Sequence, residues 1–454
     1  MRLVVLLAIA AATLSAAADT RLAEAAKRGD RAAVQTLVAA HADLNAPDAE
    51  GATAAHWAAE NDDLAVMDAL IRGGARLDAA NRLGVPPITL AARNGSAPML
   101  EKLLRAGVDP NATAGQGETA LMTAARTGRA DAVRTLVEWG ADPNAVEQWR
   151  GQTALMWAVG EGHLEAARVL IDYGADLGVR STAGSDALFF AVRRGEPPLV
   201  DLLLGSGADV RRTTADGMSM LVVAITNAHW DLAARLLDKG ADANSGAPNG
   251  TPLHSAIRVR NPDAVALPDP APSGDSLAFI RALIAHGAKV NAPLTRGQTV
   301  TFLNLAGATP FLLAAQAVDV PLMQLLVERG ADPTITTKDK SSALMAAAGL
   351  GYDEGRHTAW TEAHSFAAVK LVLDLGADVN AIDDNGNTAL HGAAFTGANS
   401  VVKLLVEKGA RLDVKDKLGY LPVTIAEGIH IAALLKYRPE TAVLLRELME
   451  RNTP

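Results

Sequence analysis

Gly117-Glu118-Thr119-Ala120-Leu121-Met122-Thr123-Ala124-Ala125, continuing through Leu136-Val137 to Gly140-Ala141-Asp142-Pro143-Asn144, is the stretch that decides the fold. Its first glycine recurs. Markers stand at Gly51, Gly84, Gly117, Gly151, Gly184, Gly217 and Gly250, at steps of 33, 33, 34, 33, 33 and 33 residues; Gly307 to Lys340 and Gly386 to Gly419 repeat the step. A fixed period of this size means stacked units, each too small to bury its apolar face alone. Within a unit the pattern reads helix, turn, helix, extended turn. Thr119 is placed to accept a hydrogen bond from the first free N–H groups of helix one. Thr309-Pro310 adds proline at the first helical position, where no N–H is required. Gly128 and Gly140 suit left-handed residues that end the two helices. Ala124 and Ala125 let neighbouring helices approach, while Leu136 and Val137 fill the space between layers.

The closest matches to a known pattern are Thr251-Pro252-Leu253-His254 and Gly386-Asn387-Thr388-Ala389-Leu390-His391-Gly392-Ala393-Ala394, with Gly-Ala-Asp at 140, 174, 207, 240, 330 and 376. On these residues the chain resembles the ankyrin-repeat family. The resemblance covers Thr20 to about Met449 and implies an all-α repeat solenoid of about twelve units, each a helix-turn-helix plus a β-hairpin or loop. Thr20, with Arg21 and Lys27-Arg28 on its exposed side, reads as an N-terminal cap. Gly419-Tyr420-Leu421-Pro422-Val423 and the helix from Pro439 to Met449 depart from the repeat as a C-terminal cap does, so the solenoid is expected to begin and end within this chain. The family's histidine, which ties hairpins to helices, becomes Met122, Met156, Phe189, Val222, Leu312 or Met345; this puts local hairpin rigidity in question and leaves the fold untouched.

Hydrophobic residues make up 49% of the chain but aromatics only 4%, which suits short, closely packed helices rich in alanine, leucine and valine. The net charge of -9 argues against a nucleic-acid partner, since that binding draws on basic charge to displace counterions. There are no cysteines, hence no disulfides, no thiolate metal sites and no lipidated cysteine. At the N-terminus Arg2, the apolar run Leu3 to Leu14 and Ala16-Ala17-Ala18 read as a signal peptide over residues 1–18, cleaved after Ala18. The run is well short of the ~20 residues that span a bilayer, so no membrane span is expected in the mature chain. With arginine outnumbering lysine and an alanine-rich leader, a bacterial source and a periplasmic or secreted location are expected. The solenoid then occupies residues 19–449, with 450–454 as a tail.

Two intervals break the period. Gly250 to Gly307 spans 57 residues and Lys340 to Gly386 spans 46. The extra residues fall near 259–276, a stretch carrying Pro262, Pro268, Pro270 and Pro272; near 293–305, where Thr299 to Leu305 has strand character; and near 351–365, which contains Trp360. The first and third lie between the helices of their units and flank the unit that begins near Gly307. They are expected either to clasp a partner from two sides or to decorate the surface, since loop length costs little stability.

No nucleophile-base pair, carboxylate pair or metal cluster stands out, so the chain reads as non-catalytic and without cofactor. His56, His254 and His391 hold the repeat's structural position, and His163 and His229 start second helices. His357 and His364, beside Asp353, Glu354 and Glu362, offer zinc-type donors at a spacing that matches no metal motif. A basic row follows the Ala-Ala pair of helix one: Arg93, Arg126, Arg193 with Arg194, and Arg258, interrupted by Gly160 and Thr226. The family resemblance places such helix-one ends and the hairpin tips on a concave binding face, where an acidic protein segment would fit; alternatively each arginine only complements its helix dipole. A second row, Trp57, Leu90, Thr123, Trp157, Phe190, Val223, Ser255 and Leu313, is expected to pack between layers. Trp139 ends a second helix, and Trp149-Arg150, at a hairpin tip, is the best single contact. The expected partner contacts are Arg93, Arg126, Trp149, Arg150, Arg193, Arg194, Arg258 and Trp360. The reading is a monomeric protein-binding scaffold; the alternatives are a hydrolase or metal-dependent enzyme built on the insertions, and a spacer without a dedicated ligand.

Overall fold

A computed structural model describes residues 19–246, 250–261, 274–297, 299–352, 360–431 and 434–451. The signal peptide expected at 1–18 lies outside them, as do 262–273 and 353–359 within the insertions. Helices dominate, from Arg21–Lys27 to Pro439–Arg451, with two short antiparallel strand pairs, Thr299–Val300 with Leu303–Asn304 and Ile429–Ile431 with Leu434–Lys436. The chain folds as two units, residues 1–208 and 209–454.

The local chemistry of each repeat is visible in the helix Ala120–Arg126. The Thr119 hydroxyl accepts from the Met122 N–H at 3.2 Å, satisfying a donor that the helix leaves over. Ala124 and Ala125 are fully buried, and with no side chain beyond Cβ they let this helix pack on its counterpart Ala154–Glu161. The second helix, Ala130–Glu138, buries Val133 and Leu136 and packs on Leu164–Asp172 of the next repeat. In the second unit Pro310–Gln316 stands in the same relation to Ala343–Ala347.

Hairpin tips are closed by a carboxylate or amide that turns back on its own backbone. Asp48 Oδ1 accepts from the Glu50 and Ala52 N–H groups at 2.8 and 2.9 Å; Asn81, Asp383 and Asp416 do the same. The third residue after the one that closes the tip sits in the left-handed region, at φ +79° for Gly51, and Lys340 adopts the same conformation at φ +66° where other repeats use glycine. Asparagines stitch neighbouring repeats: Asn111 donates to the Gly140 carbonyl at 3.1 Å and accepts from the Asp142 N–H at 2.8 Å, and Asn144 does likewise with Gly174 and Asp176.

The histidine position divides into two tasks. His56 Nδ1 accepts from the Thr53 N–H at 3.0 Å, and its Nε2 reaches the Val85 carbonyl of the next hairpin at 3.0 Å. At Met122 and Met345 the sulfur takes the first task, accepting from the Thr119 and Ser342 N–H groups at 3.5 and 3.4 Å. It has no hydrogen for the second.

In the second unit the insertions are anchored at their bases. Arg260 pairs with the buried Asp319 at 2.7 Å and donates to Ser276 Oγ at 2.8 Å, while Asn261 also donates to Asp319; the carboxylate therefore fixes the residues before the 262–273 segment, and Arg260 ties them to Ser276 after it. The second insertion forms the expected strand pair. Its turn residue Thr301 donates to the Tyr352 carbonyl at 3.0 Å, and Phe302 meets Phe395 edge-on with centroids 5.5 Å apart, so this hairpin lies against the base of the third insertion.

Candidate partner-binding groove

Four of the eight expected contact residues meet in one place. In the first unit Arg126, Trp149, Arg150 and Arg193 line a groove of about 410 Å³ together with Trp157, Phe190, Gly160 and three glutamates, Glu118, Glu147 and Glu161. Arg126 ends its helix with the guanidinium 5.0 Å from the Trp157 ring centroid, and Arg193 lies 5.9 Å from that of Phe190. Trp157 and Phe190 are thus half-buried walls of the groove, where the sequence pattern expects core between layers. They belong to first helices, whose last turns open toward the tips, and long charged side chains cover their outer faces.

The tip at 147–152 is built differently from its neighbours, and the 34-residue step is the cause. At Asp48 the closing bond runs from the Asp48 N–H to the Ala52 carbonyl; here it runs from the Glu147 N–H to the Gln152 carbonyl, one residue further. The longer glutamate fills the wider turn. Its oxygens accept from the N–H groups of Trp149, Arg150 and Gln152 at 2.7 to 3.0 Å. Burial pushes this carboxyl upward, and the backbone N–H groups outweigh it, holding Glu147 below its ordinary value. The wide tip projects Trp149, 69% exposed, with the Arg150 guanidinium 4.1 Å from its ring centroid. There is a cost. Trp57 donates its indole N–H to Asp48 at 2.8 Å, whereas the indole N–H of Trp157 is buried without an acceptor, because Glu147 is committed to the tip.

The basic row is therefore tempered. Glu118 accepts from Thr123 at 2.7 Å and pairs with Arg126 at 3.2 Å, so three arginines and three glutamates share the lining. The periodic markers gave no sign of these carboxylates, since their phases are irregular.

The other four residues are elsewhere. Arg93 pairs with Glu60 one repeat back. Arg194 turns toward the repeat before it, donating to the Gly160 carbonyl at 3.2 Å and pairing with Glu196 at 3.3 Å; it caps a helix end, as His163 does at the Arg126 carbonyl. Arg258 is exposed in the last turn of Pro252–Arg260, in the second unit. Trp360, also there, is half-buried and stacked on Tyr352 at 4.5 Å. Trp139 caps the helix Ala130–Glu138 and is 40% exposed. Asp353, Glu354 and His357 lie outside the described residues; among those described, no three histidine, aspartate or glutamate side chains are grouped to hold a metal, and no helix is long and apolar enough to cross a membrane.

A family model described as ankyrin repeats (3 copies) matches residues 22–114, 88–181, 188–267 and 311–416, more than half of the chain. This chain belongs to the ankyrin-repeat family. Among curated proteins it is similar to the ankyrin repeat-containing protein P1E11.10 of Schizosaccharomyces pombe, 37% identical over 16% of this chain and 35% of that one. It is also similar to the protein lin-12 of Caenorhabditis elegans, 32% identical over 36% and 11%, and to the human ankyrin repeat and SOCS box protein 16, 31% identical over 32% and 37%. The chain spans well under half the length of these relatives. The solved ankyrin repeat domain of Bcl-3 aligns with 32% identity and a TM-score of 0.43, over 45% of this chain and 94% of that one. Ankyrin repeats are protein-interaction modules, and a protein-binding scaffold is what membership carries for this chain.

Proposed function

We propose that this ankyrin-repeat protein is a non-catalytic scaffold of about twelve units, monomeric, that holds a protein partner in the groove of its first unit. The observation that carries this is the tip at 147–152, where an indole is projected into solvent beside aromatic rings already covered by guanidinium groups. Exposed tryptophan and arginine around a recess form the usual anchor chemistry of protein interfaces. The same proposal includes export: the leader pattern at 1–18 is the sequence feature that supports a mature chain in the periplasm or outside the cell.

The test is affinity capture from the exported fraction with the full chain and with a Trp149→Ala, Arg126→Glu, Arg193→Glu variant. Loss of the captured protein, with an unchanged thermal melt, is the expected outcome. Equal capture by both forms refutes the groove. Intact mass of the exported protein tests the leader, which predicts an N-terminus at Asp19.

A further inference from the structure

Repeats of the first unit are tied to their neighbours by hydrogen bonds, and the ties are unevenly shared. Between residues 42–74 and 75–107, Asn45 accepts from the Arg76 N–H at 2.7 Å, and the Arg82 N–H donates to the Glu50 carbonyl at 3.2 Å. His56 reaches the Val85 carbonyl at 3.0 Å, and Asn94 donates to the Glu60 carbonyl at 2.8 Å. Between 108–140 and 141–173 two of these positions serve again: Asn111 makes its two bonds, and the Gln148 N–H donates to the Gln116 carbonyl at 2.8 Å. His163, on the Arg126 carbonyl at 3.0 Å, and Tyr173, on Glu138 at 2.9 Å, add two more.

Between 75–107 and 108–140 all four positions fail together. Asp78 stands where the asparagine would and pairs within its own hairpin, with Arg76 at 3.3 Å, so the Gly107 carbonyl and the Asp109 N–H have no protein partner. The Gly115 N–H makes no bond to the Leu83 carbonyl, the rung that Arg82 and Gln148 supply on either side. Thr89 holds the position of His56, and its buried hydroxyl has no partner. Thr127 holds the position of Asn61 and Asn94 and turns its hydroxyl back to the Thr123 carbonyl of its own helix, at 3.1 Å. Among the described residues no hydrogen bond or ion pair crosses this joint, apart from the Val108 N–H that closes the preceding helix on the Leu103 carbonyl. What holds it is packing of Pro87–Asn94 on Ala120–Arg126, with the stem of Arg129 lying over Gly95.

We propose that this joint divides the first unit into two blocks that open separately, 19–107 and 108–208. In a solenoid each repeat is stabilised by its interfaces with its neighbours, so cooperativity ends at the interface with the fewest bonds. Every residue that lines the groove, from Gly115 to Arg193, lies in the second block. The groove therefore outlasts the opening of the repeats before it, and that opening uncovers the face of Ala120–Arg126 on which Pro87–Asn94 packs. This division stands apart from the scaffold reading, since it follows from the joints alone.

The test is native-state hydrogen exchange of the full chain, read by mass spectrometry over a series of low urea concentrations. The slowest amides are expected to fall into two groups, one within 19–107 and one within 108–208, each with a shared urea dependence and at least roughly tenfold apart in rate. Asp78→Asn is the deciding variant. It supplies the amide that at Asn111 holds Gly140 and Asp142, and the counterparts Gly107 and Asp109 are vacant. Two such bonds are expected to slow exchange about tenfold in the block that opens first. Asp78→Ala, which removes the exposed pair to Arg76 without adding an amide, keeps exchange within about threefold of the wild type. One exchange group spanning 19–208, a division at another joint of the unit, or unchanged exchange in Asp78→Asn overturns the proposal. Equal slowing by Asp78→Asn and Asp78→Ala overturns it as well, because the gain then owes nothing to the restored tie.

Discussion

His254 gives the sharpest handle on stability. It is 1% exposed in the helix Pro252–Arg260, and burial, opposed by the facing Ala308 carbonyl and reinforced by the nearby Arg258 charge, lowers its pKa from 6.5 to about 4. Its counterparts His56 and His391 reach hairpin carbonyls through Nε2, at 3.0 and 3.2 Å, and burial lowers both. The Nε2 of His254 has no acceptor in hydrogen-bonding geometry, so its ring has less to hold a proton with. Because the folded value lies below the unfolded one, the unfolded chain binds the extra proton between about pH 4 and 6.5. The full contribution to stability is present above that window and is lost as pH falls through it. The whole shift corresponds to roughly 3 kcal/mol, and about 2 kcal/mol of it is lost between pH 7.5 and 5.0. His254→Met uses the residue that other repeats place there and removes the titration. The measurement is the opening free energy of residues 251–260 by hydrogen exchange, at pH 7.5 and 5.0, in both forms. The variant should lose about 2 kcal/mol less than the wild type on acidification; equal losses refute the argument.

Other substitutions probe other joints. Lys340→Gly relieves the left-handed lysine and, even without its exposed pair to Asp384, should stabilise the second unit by about 0.5–1 kcal/mol in urea unfolding. Asp319→Ala strands the partly buried Arg260 and removes a helix cap, and should cost about 3–5 kcal/mol in the same assay. Glu147→Ala leaves the tip N–H groups of Trp149, Arg150 and Gln152 without their acceptor; a loss of about 1–3 kcal/mol and a red shift of tryptophan emission are expected.

What was legible in the sequence follows from what a solenoid is. Each repeat touches chiefly its neighbours, so Thr119, the alanine pairs and the tip aspartates each solve a local problem and recur at the same phase. The groove is not periodic. It depends on one additional residue between Gly117 and Gly151, on a glutamate long enough to close the wider turn, and on the missing side chain at Gly160. The sequence marks that glycine only as an interruption of a row, and it places Trp157 in the core because phase alone cannot say which way an indole leans at the end of a helix. Arg194 lies apart from the groove for the opposite reason: its guanidinium, four bonds from the backbone, reaches the preceding repeat, beyond what spacing records. Contacts such as Phe302 with Phe395 join segments some ninety residues apart and obey no period at all.

The asparagine stitches have a mechanical meaning. In the first unit they bind at Asn45, Asn111 and Asn144, but Asp78 stands at the same phase with no amide to offer. Under tension the stitched joints resist shear through directional bonds on the tip side, and the unstitched ones rely on side-chain packing between helices. The first unit is therefore a run of unequal links, in which the joint after Asp78 lacks the pair of amide bonds that Asn111 and Asn144 supply to theirs.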